Sequence, residues 1–304
     1  MRRKINIALL VLILLIGLPW YWLLMDNRPG KIEAKPVSIA QLRELAGSIP
    51  GTAPSAIEME QVAGRLLPRN LFAAGDGLKR AHIAVIAWRL PVAGGKPVVI
   101  DSGITAVDAA AMGMDGFQAE AQARVDRALS EAGLILITHE HPDHMGALVR
   151  KGGLPLASAA RLNAGQLPPS VPARDLPWSG RAVPPVTLSG TEPQAVAPGV
   201  VVIPAPSHTP GSQMIYVRLA NGREALFAGD IASLAANWQE LRARSRLVGD
   251  WLAPENRREV YAWLKTIRAL HAEAPELILL PGHDIDWVLV DPATKALVHP
   301  QFRD

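Results

Sequence analysis

The stretch THEHPDHMG, residues 138–146, constrains this chain more than any other part of its sequence. The apolar run GLILI before it predicts a buried strand, and MGALVR after it predicts a helix whose first turn suits proline. Side chains two positions apart on an extended segment point the same way, so the first two histidines are placed to bind one ion. The turn into the helix carries the next two polar side chains to a second position. Imidazole and carboxylate groups are ligands that zinc, manganese and iron accept. The four side chains are His139, His141, Asp143 and His144.

Three later residues extend this cluster, each at the end of a predicted strand and beside a glycine, proline or small residue. His208 lies in PSHTPGS, Asp230 in FAGD and His283 in LPGHD. Strand ends that open into loops present side chains at one edge of a rigid sheet. The sequence therefore predicts seven metal ligands in two sets that share Asp230 as a bridge. One set is His139, His141 and His208, and the other is Asp143, His144 and His283.

The first 25 residues combine a basic cluster, MRRK, with an uncharged apolar run over residues 5–25. A run of that length can cross a hydrocarbon core of roughly 30 Å. The basic residues favour an N-terminus on the inside, and Trp20, Tyr21 and Trp22 suit the far interface. The competing interpretation is a cleaved signal peptide, for which Ala34 marks only a poor cleavage site. We predict an uncleaved anchor, with the body on the periplasmic or extracellular side.

The chain carries a net charge of +3, but five basic residues and one acidic residue fall in its first 31 positions. The remaining body sums to −1, which does not favour nucleic-acid binding. The chain has no cysteine. This excludes disulfides, thiolate nucleophiles and thiolate metal ligands.

Between these features the pattern predicts alternating strands and helices. A capping pattern at Ser38 and Gln41 predicts a short helix after a polar tether, residues 26–37. Strands are expected in residues 56–90 and before Asp101, a helix over residues 117–131, and a loop-rich excursion over residues 151–200. Two alternating runs around Asn221-Gly222 predict a hairpin. Helices over residues 231–246 and 255–273 and a strand before His283 complete the pattern.

HEHPDH, SHTPGS, FAGD and PGHD, in that order, resemble the metallo-β-lactamase superfamily of metal-dependent hydrolases over roughly residues 60–290. The resemblance implies an αββα sandwich of the α/β (α+β) class, with a dinuclear site at one sheet edge. It implies two divalent ions, zinc first, with iron or manganese as alternatives. The predicted domains are an anchor or signal segment over residues 1–25, a tether and short helix over 26–55, and the catalytic domain over 56–304.

Departures from relatives within that family narrow the expected activity. The absence of cysteine excludes the β-lactamases that use a cysteine ligand, and Asp230 supplies a bridging carboxylate that true β-lactamases generally lack. These features resemble the branch of glyoxalase II, lactonases and phosphodiesterases. Lactonases commonly carry a tyrosine three residues after this aspartate, where this chain has Ser233. Oxygen-reducing di-iron relatives usually have glutamate where this chain has His141, which favours hydrolysis.

The predicted function is cleavage of a small ester, lactone or thioester by a hydroxide that bridges two ions. Asp143 is the candidate catalytic residue that orients this hydroxide and moves its proton. Asp101 is either a partner that orients a ligand imidazole or a carboxylate that caps the turn at Gly103. The alternatives are phosphodiester or β-lactam hydrolysis at the same site, and a metal-binding protein without catalysis. The expected partners are a small-molecule substrate and the membrane.

Several further residues are open to a functional interpretation, but packing or solvation is the preferred one. Three histidines belong to no ligand motif: His82, His271 and His299. Three tryptophans flank the ligand segments, and core packing is favoured over a substrate pocket: Trp238, Trp251 and Trp287. Three arginines follow Asp230, and a solvated helix face is favoured over substrate binding: Arg242, Arg244 and Arg246.

Overall fold

The computed structural model of the chain describes residues 2–153, 155–178 and 183–303. The strands are β1 (Ile57–Pro68), β2 (Arg80–Leu90), β3 (Val98–Ile100), β4 (Leu134–Leu136), β5 (Ala160–Arg161), β6 (Gln194–Ala197), β7 (Val200–Pro204), β8 (Gln213–Arg218), β9 (Glu224–Gly229), β10 (Ile278–Pro281) and β11 (Val298–His299). The α-helices are α1 (Arg2–Leu12), α2 (Leu18–Leu24), α3 (Ile39–Ser48), α4 (Arg69–Phe72), α5 (Ala106–Ala111), α6 (Ala119–Glu131), α7 (Ala147–Lys151), α8 (Ala235–Gln239), α9 (Arg257–Glu273), α10 (Ile285–Val290) and α11 (Pro292–Lys295).

Two mixed sheets lie face to face. The first has the strand order β11-β1-β2-β3-β4-β5, and the second has the order β10-β9-β8-β7-β6. The predicted hairpin around Asn221-Gly222 is confirmed as the antiparallel pair β8–β9. The strand before His283 adds to this hairpin in parallel, as β10 beside β9. The segments that carry the predicted ligands come from both halves of the chain. They therefore lie next to one another where they leave the two sheets.

The core has three layers because the central strands are buried on both faces. Apolar side chains from both sheets fill the middle layer, where Trp88 meets Phe227 edge to face with their ring centroids 5.2 Å apart. Helices α6 and α7 cover the outer face of the first sheet. Helices α3 and α9 cover the outer face of the second sheet. The predicted αββα arrangement is confirmed.

The predicted helix over residues 231–246 is wrong for most of its length. Only α8 within it is α-helical, after a 3₁₀ turn at Asp230–Ala232. The backbone of Leu241 has φ +53°, a left-handed conformation that ends a helix. Asn237 stabilises the turn, since its side chain donates to the carbonyl oxygens of Phe72 and Arg242, both at 2.8 Å. Residues 240–246 consequently form an irregular segment packed against the site.

The first 23 described residues form a continuous apolar helical stretch, Arg2–Leu24, in which a π-helical turn joins α1 to α2. This stretch is long and apolar enough to cross a membrane, and no residue of its apolar window is buried. The segment after it is not a free tether. The Lys35 amide donates to Thr266 Oγ1 at 2.7 Å, and the Ser38 hydroxyl caps α3. Helix α3 thus packs on the second sheet and α9.

A buried carboxylate connects α3 to the second sheet. Glu224 accepts hydrogen bonds from Arg43 Nε and from Tyr216 Oη, at 2.7 and 2.6 Å. Its side chain is only 4% exposed. Burial alone would raise the pKa of Glu224, but the hydrogen bonds from Arg43 and Tyr216 outweigh it and hold the pKa below its ordinary value.

Replacing Tyr216 by phenylalanine should remove one hydrogen bond to this buried carboxylate. We expect the free energy of unfolding to fall by roughly 1.5–3 kcal/mol at pH 7, the range for hydrogen bonds to charged groups. Because the folded-state pKa of Glu224 is depressed, the stabilisation is present above the unfolded pKa of about 4.3 and is lost as pH falls through the folded value. Urea unfolding at pH 7 and below pH 4 measures both effects.

The matched control for this substitution is Tyr261→Phe, on α9. Tyr261 is also buried, and its hydroxyl has no hydrogen-bond partner among the described residues. Its loss should change stability by less than about 0.5 kcal/mol. Equal losses in both variants, or a loss in Tyr216→Phe that does not shrink in acid, would contradict the role given to Glu224.

Candidate metal centre

Strand ends from both sheets deliver the predicted ligands to one place. His139 and His141 follow β4, His208 lies in the loop between β7 and β8, Asp230 follows β9, and His283 follows β10. A π-helical turn at Pro142–Gly146 continues from β4 and carries the remaining two ligands. Within the described residues, the ligand atoms form three groups, each within 4.8 Å. The groups are His139, His141 and His208; Asp143, His144 and His283; and His139, His144 and Asp230.

Imidazole nitrogens converge in the first group. His141 Nδ1 lies 2.9 Å from His139 Nε2 and 3.1 Å from His208 Nε2. The other nitrogen of His208 lies 2.8 Å from Glu255 Oε2, so a proton on Nδ1 leaves the Nε2 lone pair directed into the group. This arrangement brings three nitrogen lone pairs together, which a cation stabilises.

Polar contacts to Nδ1 also orient the two histidines of the second group. His283 Nδ1 donates to the carbonyl oxygen of Ala84 at 2.7 Å, and His144 Nδ1 lies 2.8 Å from Asp101 Oδ2. The Nε2 atoms of both rings therefore turn inward and lie 3.5 Å apart. Asp143 Oδ2 completes the group at 3.7 Å from His283 Nε2. Partners that fix the ring and tautomer in this way are typical of metal-binding histidines.

Asp230 lies between the two groups and presents one oxygen to each. Its Oδ1 is 2.8 Å from His283 Nε2, and its Oδ2 is 3.5 Å from His208 Nε2. The absence of a side chain at Gly282 leaves room for the Asp230 carboxylate. A Cβ atom at residue 282 would lie 2.6 Å from Asp230 Oδ1 and 2.8 Å from the backbone of Gly229. Only glycine permits β9 and β10 to approach so closely at their ends.

Burial and neighbouring charges shift the pKa values of the ligand histidines in opposite directions. Burial and the adjacent imidazoles hold the pKa of His139 well below its ordinary value, and burial with His208 lowers the pKa of His141 to about 3. Burial would also lower the pKa of His144, but Asp101 and Asp143 outweigh it and raise the pKa to about 9. Asp230 raises the pKa of His283 in the same way against burial. Positive charge is therefore favoured beside the carboxylates.

The residues fit a bound metal cation. Asp230 Oδ1 is a buried carboxylate oxygen that faces His283 Nε2 at 2.8 Å. This contact satisfies the oxygen only while that nitrogen carries a proton, and a divalent ion would satisfy it when the nitrogen serves as a ligand. The donor set, five imidazoles and two carboxylates without sulfur, suits zinc, iron and manganese.

Arg244 belongs to this site, and the prediction of a solvated face is wrong for it. It is 5% exposed, and its Nη2 donates to Asp230 Oδ2 at 2.9 Å and to Ser233 Oγ at 2.6 Å. Its Nε lies 3.5 Å from Glu255 Oε2, which also contacts His208. The Arg244 guanidinium thus contacts both Asp230, which lies between the two ligand groups, and Glu255, which orients His208.

Two buried glutamates of this site were missed in the sequence. The side chain of Glu255 has no exposed surface, and it reaches the site from the start of α9. Glu140 accepts from Thr209 Oγ1 at 2.7 Å and from the Gly211 amide at 3.1 Å, which ties the HEHPDH segment to the loop that carries His208. Burial raises the pKa of Glu140 to about 7. The only sequence signal for Glu140 was its position between two candidate ligands.

Asp101 has a geometry that suits orientation of an imidazole. It adopts φ +60°, and its Oδ1 accepts from the Thr138 amide at 2.7 Å while Oδ2 faces His144. Strained backbone of this kind is maintained only where the surroundings hold it.

The remaining candidates lie outside the three groups. His271 and His299 contact the carbonyl of Leu277 and the guanidinium of Arg303, and His82 lies 3.5 Å from Gln61 Nε2. Trp238 is buried in the outer core, as expected, and Trp287 packs against it. Trp251 departs from the expectation of core packing, because it is 67% exposed.

The chain belongs to the metallo-beta-lactamase superfamily, whose family model matches residues 84–283. This range includes all seven predicted ligands and Arg244. The chain is therefore a metallo-hydrolase of that superfamily. No curated protein sequence matches it.

Solved structures share the fold at low sequence identity. A quorum-quenching N-acyl homoserine lactone lactonase superposes with a TM-score of 0.59 at 15% identity, covering 78% of this chain and 95% of that one. An N-acyl homoserine lactone hydrolase, with N-hexanoyl-L-homoserine at its catalytic metal centre, gives 0.59 at 16% identity, covering 77% and 95%. A probable metal-dependent hydrolase from Staphylococcus aureus gives 0.53 at 13% identity, covering 77% and 91%.

Replacing Arg244 by methionine should leave Asp230 and Glu255 as buried carboxylates without their shared cation. Breaking a buried ion pair from one side costs roughly 3–5 kcal/mol, so the metal-free chain should lose stability on that scale. Added zinc should restore part of this loss in the variant, since ions bound beside Asp230 offset its charge. Urea unfolding of chelator-treated and zinc-loaded protein measures both quantities.

Arg174→Met serves as the control for this substitution, because the Arg174 side chain is 60% exposed and, within the described residues, pairs only with the exposed Asp175. It should change stability by less than about 0.5 kcal/mol. A loss of that small size in Arg244→Met would show that Arg244 does not compensate these carboxylates.

Proposed function

We propose that this protein is a membrane-anchored hydrolase that uses two divalent metal ions, with zinc as the first candidate, to cleave a small ester, lactone or thioester. The observation that carries the proposal is the position of Asp230, with one carboxylate oxygen toward each ligand group. A carboxylate in that position is suited to bridge two ions. The homoserine lactones named for two structures of the same fold are consistent with this substrate class.

The proposed ligand roles follow the geometric groups. His139, His141 and His208 would hold one ion, Asp143, His144 and His283 would hold the other, and Asp230 would bridge them. Two metal ions bound in such a site would supply an activated hydroxide near neutral pH and would polarise the scissile carbonyl.

The protein's own side chains would have separate tasks in this reaction. The Asp143 carboxylate is within 3.9 Å of two inward-facing imidazole nitrogens, and we assign it the proton released during attack. Asp101 would keep His144 in the tautomer that directs Nε2 inward, and Glu255 would do the same for His208. A recess of about 360 Å³ opens beside His208, between the 206–210 loop and residues 254–256, and offers space for a substrate.

Export of the catalytic body to the periplasmic or extracellular face is part of the proposal. It rests on Arg2, Arg3 and Lys4 at the N-terminal end of the helical stretch, Arg2–Leu24, since basic residues there favour an N-terminus on the cytoplasmic side.

The substrate class is tested with the purified full chain and a panel of a lactone, a thioester, an aryl ester, a cephalosporin and a bis-aryl phosphate. We expect chelator-sensitive turnover of the lactone, thioester or ester, restored by zinc. Preferred turnover of the phosphate or the cephalosporin would replace the proposed substrate class. No turnover of any compound by the metal-loaded chain would favour a non-catalytic role.

Replacing Asp230 by alanine should remove the second metal ion and most of the turnover. Elemental analysis should find about two ions per wild-type chain and about one in the variant, because the remaining ligands of one group still hold an ion. His299→Ala, a change to a histidine outside the ligand groups, is the control and should retain both ions. Unchanged metal content in Asp230→Ala would disprove the bridging role.

A further inference from the structure

The apolar helical stretch contacts the catalytic body only at its C-terminal end. Most of its side chains are exposed, and burial begins only in its last turn. There the Leu24 carbonyl accepts from the Gly75 amide at 2.9 Å, and the guanidinium of Arg246 lies 5.2 Å from the centre of the Trp22 ring. The Asp26 carboxylate accepts from Arg246 Nε at 2.6 Å. The end of the stretch is therefore fixed to two segments, one around Gly75 and one around Arg246.

The length of the stretch determines where this attachment lies relative to a bilayer. Its 23 residues extend about 34 Å at 1.5 Å per residue. The hydrocarbon core is about 30 Å thick, so the last turn, with Trp22 and Leu24, emerges in the headgroup region. Trp22 suits this depth, since tryptophan is enriched at membrane interfaces. Body residues that touch this turn must lie close to the headgroups.

Both attachment segments carry exposed apolar side chains. The segment that follows Arg246 is a π-helical turn, Leu247–Leu252, in which Trp251 is 67% and Leu252 70% exposed. Asp250 in this turn accepts a hydrogen bond from Arg246 Nη1 at 3.1 Å, so Trp251 directly follows a residue that contacts the Arg246 side chain. Leu78, three residues after Gly75, is 67% exposed and precedes the exposed Lys79 and Arg80.

We propose that Leu78, Trp251 and Leu252 insert into the bilayer interface and hold the catalytic body against the membrane surface. Large apolar side chains exposed to water gain free energy when they enter the interface, and neighbouring lysine and arginine attract anionic headgroups. The three side chains flank the emerging helix, so one membrane surface can reach all of them. The recess beside His208 has residues 254–256 as one wall, and this wall begins two residues after Leu252.

This inference rests on the part of the proposed function that retains the helix as a membrane anchor, and it does not depend on the substrate. The natural chain has no cysteine, so single labels can be introduced without background. The variants are Leu78→Cys, Leu252→Cys and the matched control Val107→Cys. Val107 is 67% exposed like Leu78, but it lies on α5, on the side of the first sheet.

Each full-length variant is labelled with an environment-sensitive fluorophore and reconstituted in nanodiscs of phosphatidylcholine and phosphatidylglycerol. Quenching by lipids that carry a nitroxide at the headgroup is then measured. We expect labels at positions 78 and 252 to be quenched roughly twofold or more, with a blue shift in emission, and the label at position 107 to be unaffected. Weaker quenching in neutral nanodiscs would support the contribution of Lys79 and Arg80.

Quenching at positions 78 and 252 no greater than at position 107 would overturn the inference, as would equal quenching at all three positions. The intact mass of protein extracted from membranes tests the anchor separately, and loss of the first 24 residues would also overturn it. Turnover measured in the same nanodiscs distinguishes this result from the catalytic proposal. Quenched labels with no turnover would contradict only the hydrolase.

Discussion

The structure of this site depends on compensation of buried negative charge around Asp230. Among the described residues, four buried carboxylates contact the ligand histidines or Arg244: Asp101, Asp143, Asp230 and Glu255. Arg244 is the permanent cation that contacts two of them. One guanidinium does not neutralise four carboxylates, and isolated buried charges are costly. Protonated imidazoles or divalent ions must supply the remaining positive charge, which explains why the pKa values of His144 and His283 are raised in the metal-free chain.

The sandwich supplies the rigidity that this charge cluster requires. Like-charged carboxylates and facing lone pairs repel one another, so the segments that carry them must be held from outside. The ends of β4, β9 and β10 are fixed by buried strands that pack across the middle layer. Glu140 ties the segment after β4, in the first sheet, to the β7–β8 loop of the second sheet through the Gly211 amide, and Gly282 lets β9 and β10 of the second sheet end close together. Repulsion at the site is thus balanced by apolar burial elsewhere.

The sequence predicted the parts of this arrangement that depend on local pattern. Strand alternation, the Asn221-Gly222 turn and the motif order located the strands and brought the seven candidate ligands together. Arg244 was misplaced because a helical periodicity across residues 231–246 put it on a solvated face. The side chain of Asn237 and the left-handed backbone of Leu241 end that helix early, and neither effect can be recognised from periodicity. Glu255 and Asp101 reach the site through contacts with residues 47 and 43 positions away, which no local pattern encodes.

The segment that follows the apolar helical stretch, residues 26–31, is connected to the same charge cluster through the backbone. The Ala243 amide donates to the Asn27 carbonyl at 3.0 Å, immediately before Arg244. Arg257 joins the two segments, because its Nη2 donates to the Asp26 carbonyl at 2.7 Å and its Nε donates to the Arg244 carbonyl at 3.1 Å. A soluble fragment that begins at residue 32 would lose the Asp26 and Asn27 carbonyls and leave Arg257, which is 5% exposed, without a main-chain partner on that side. Residues 26–31 therefore help to support the candidate metal centre, and the contacts of this body extend back to the end of the apolar helical stretch.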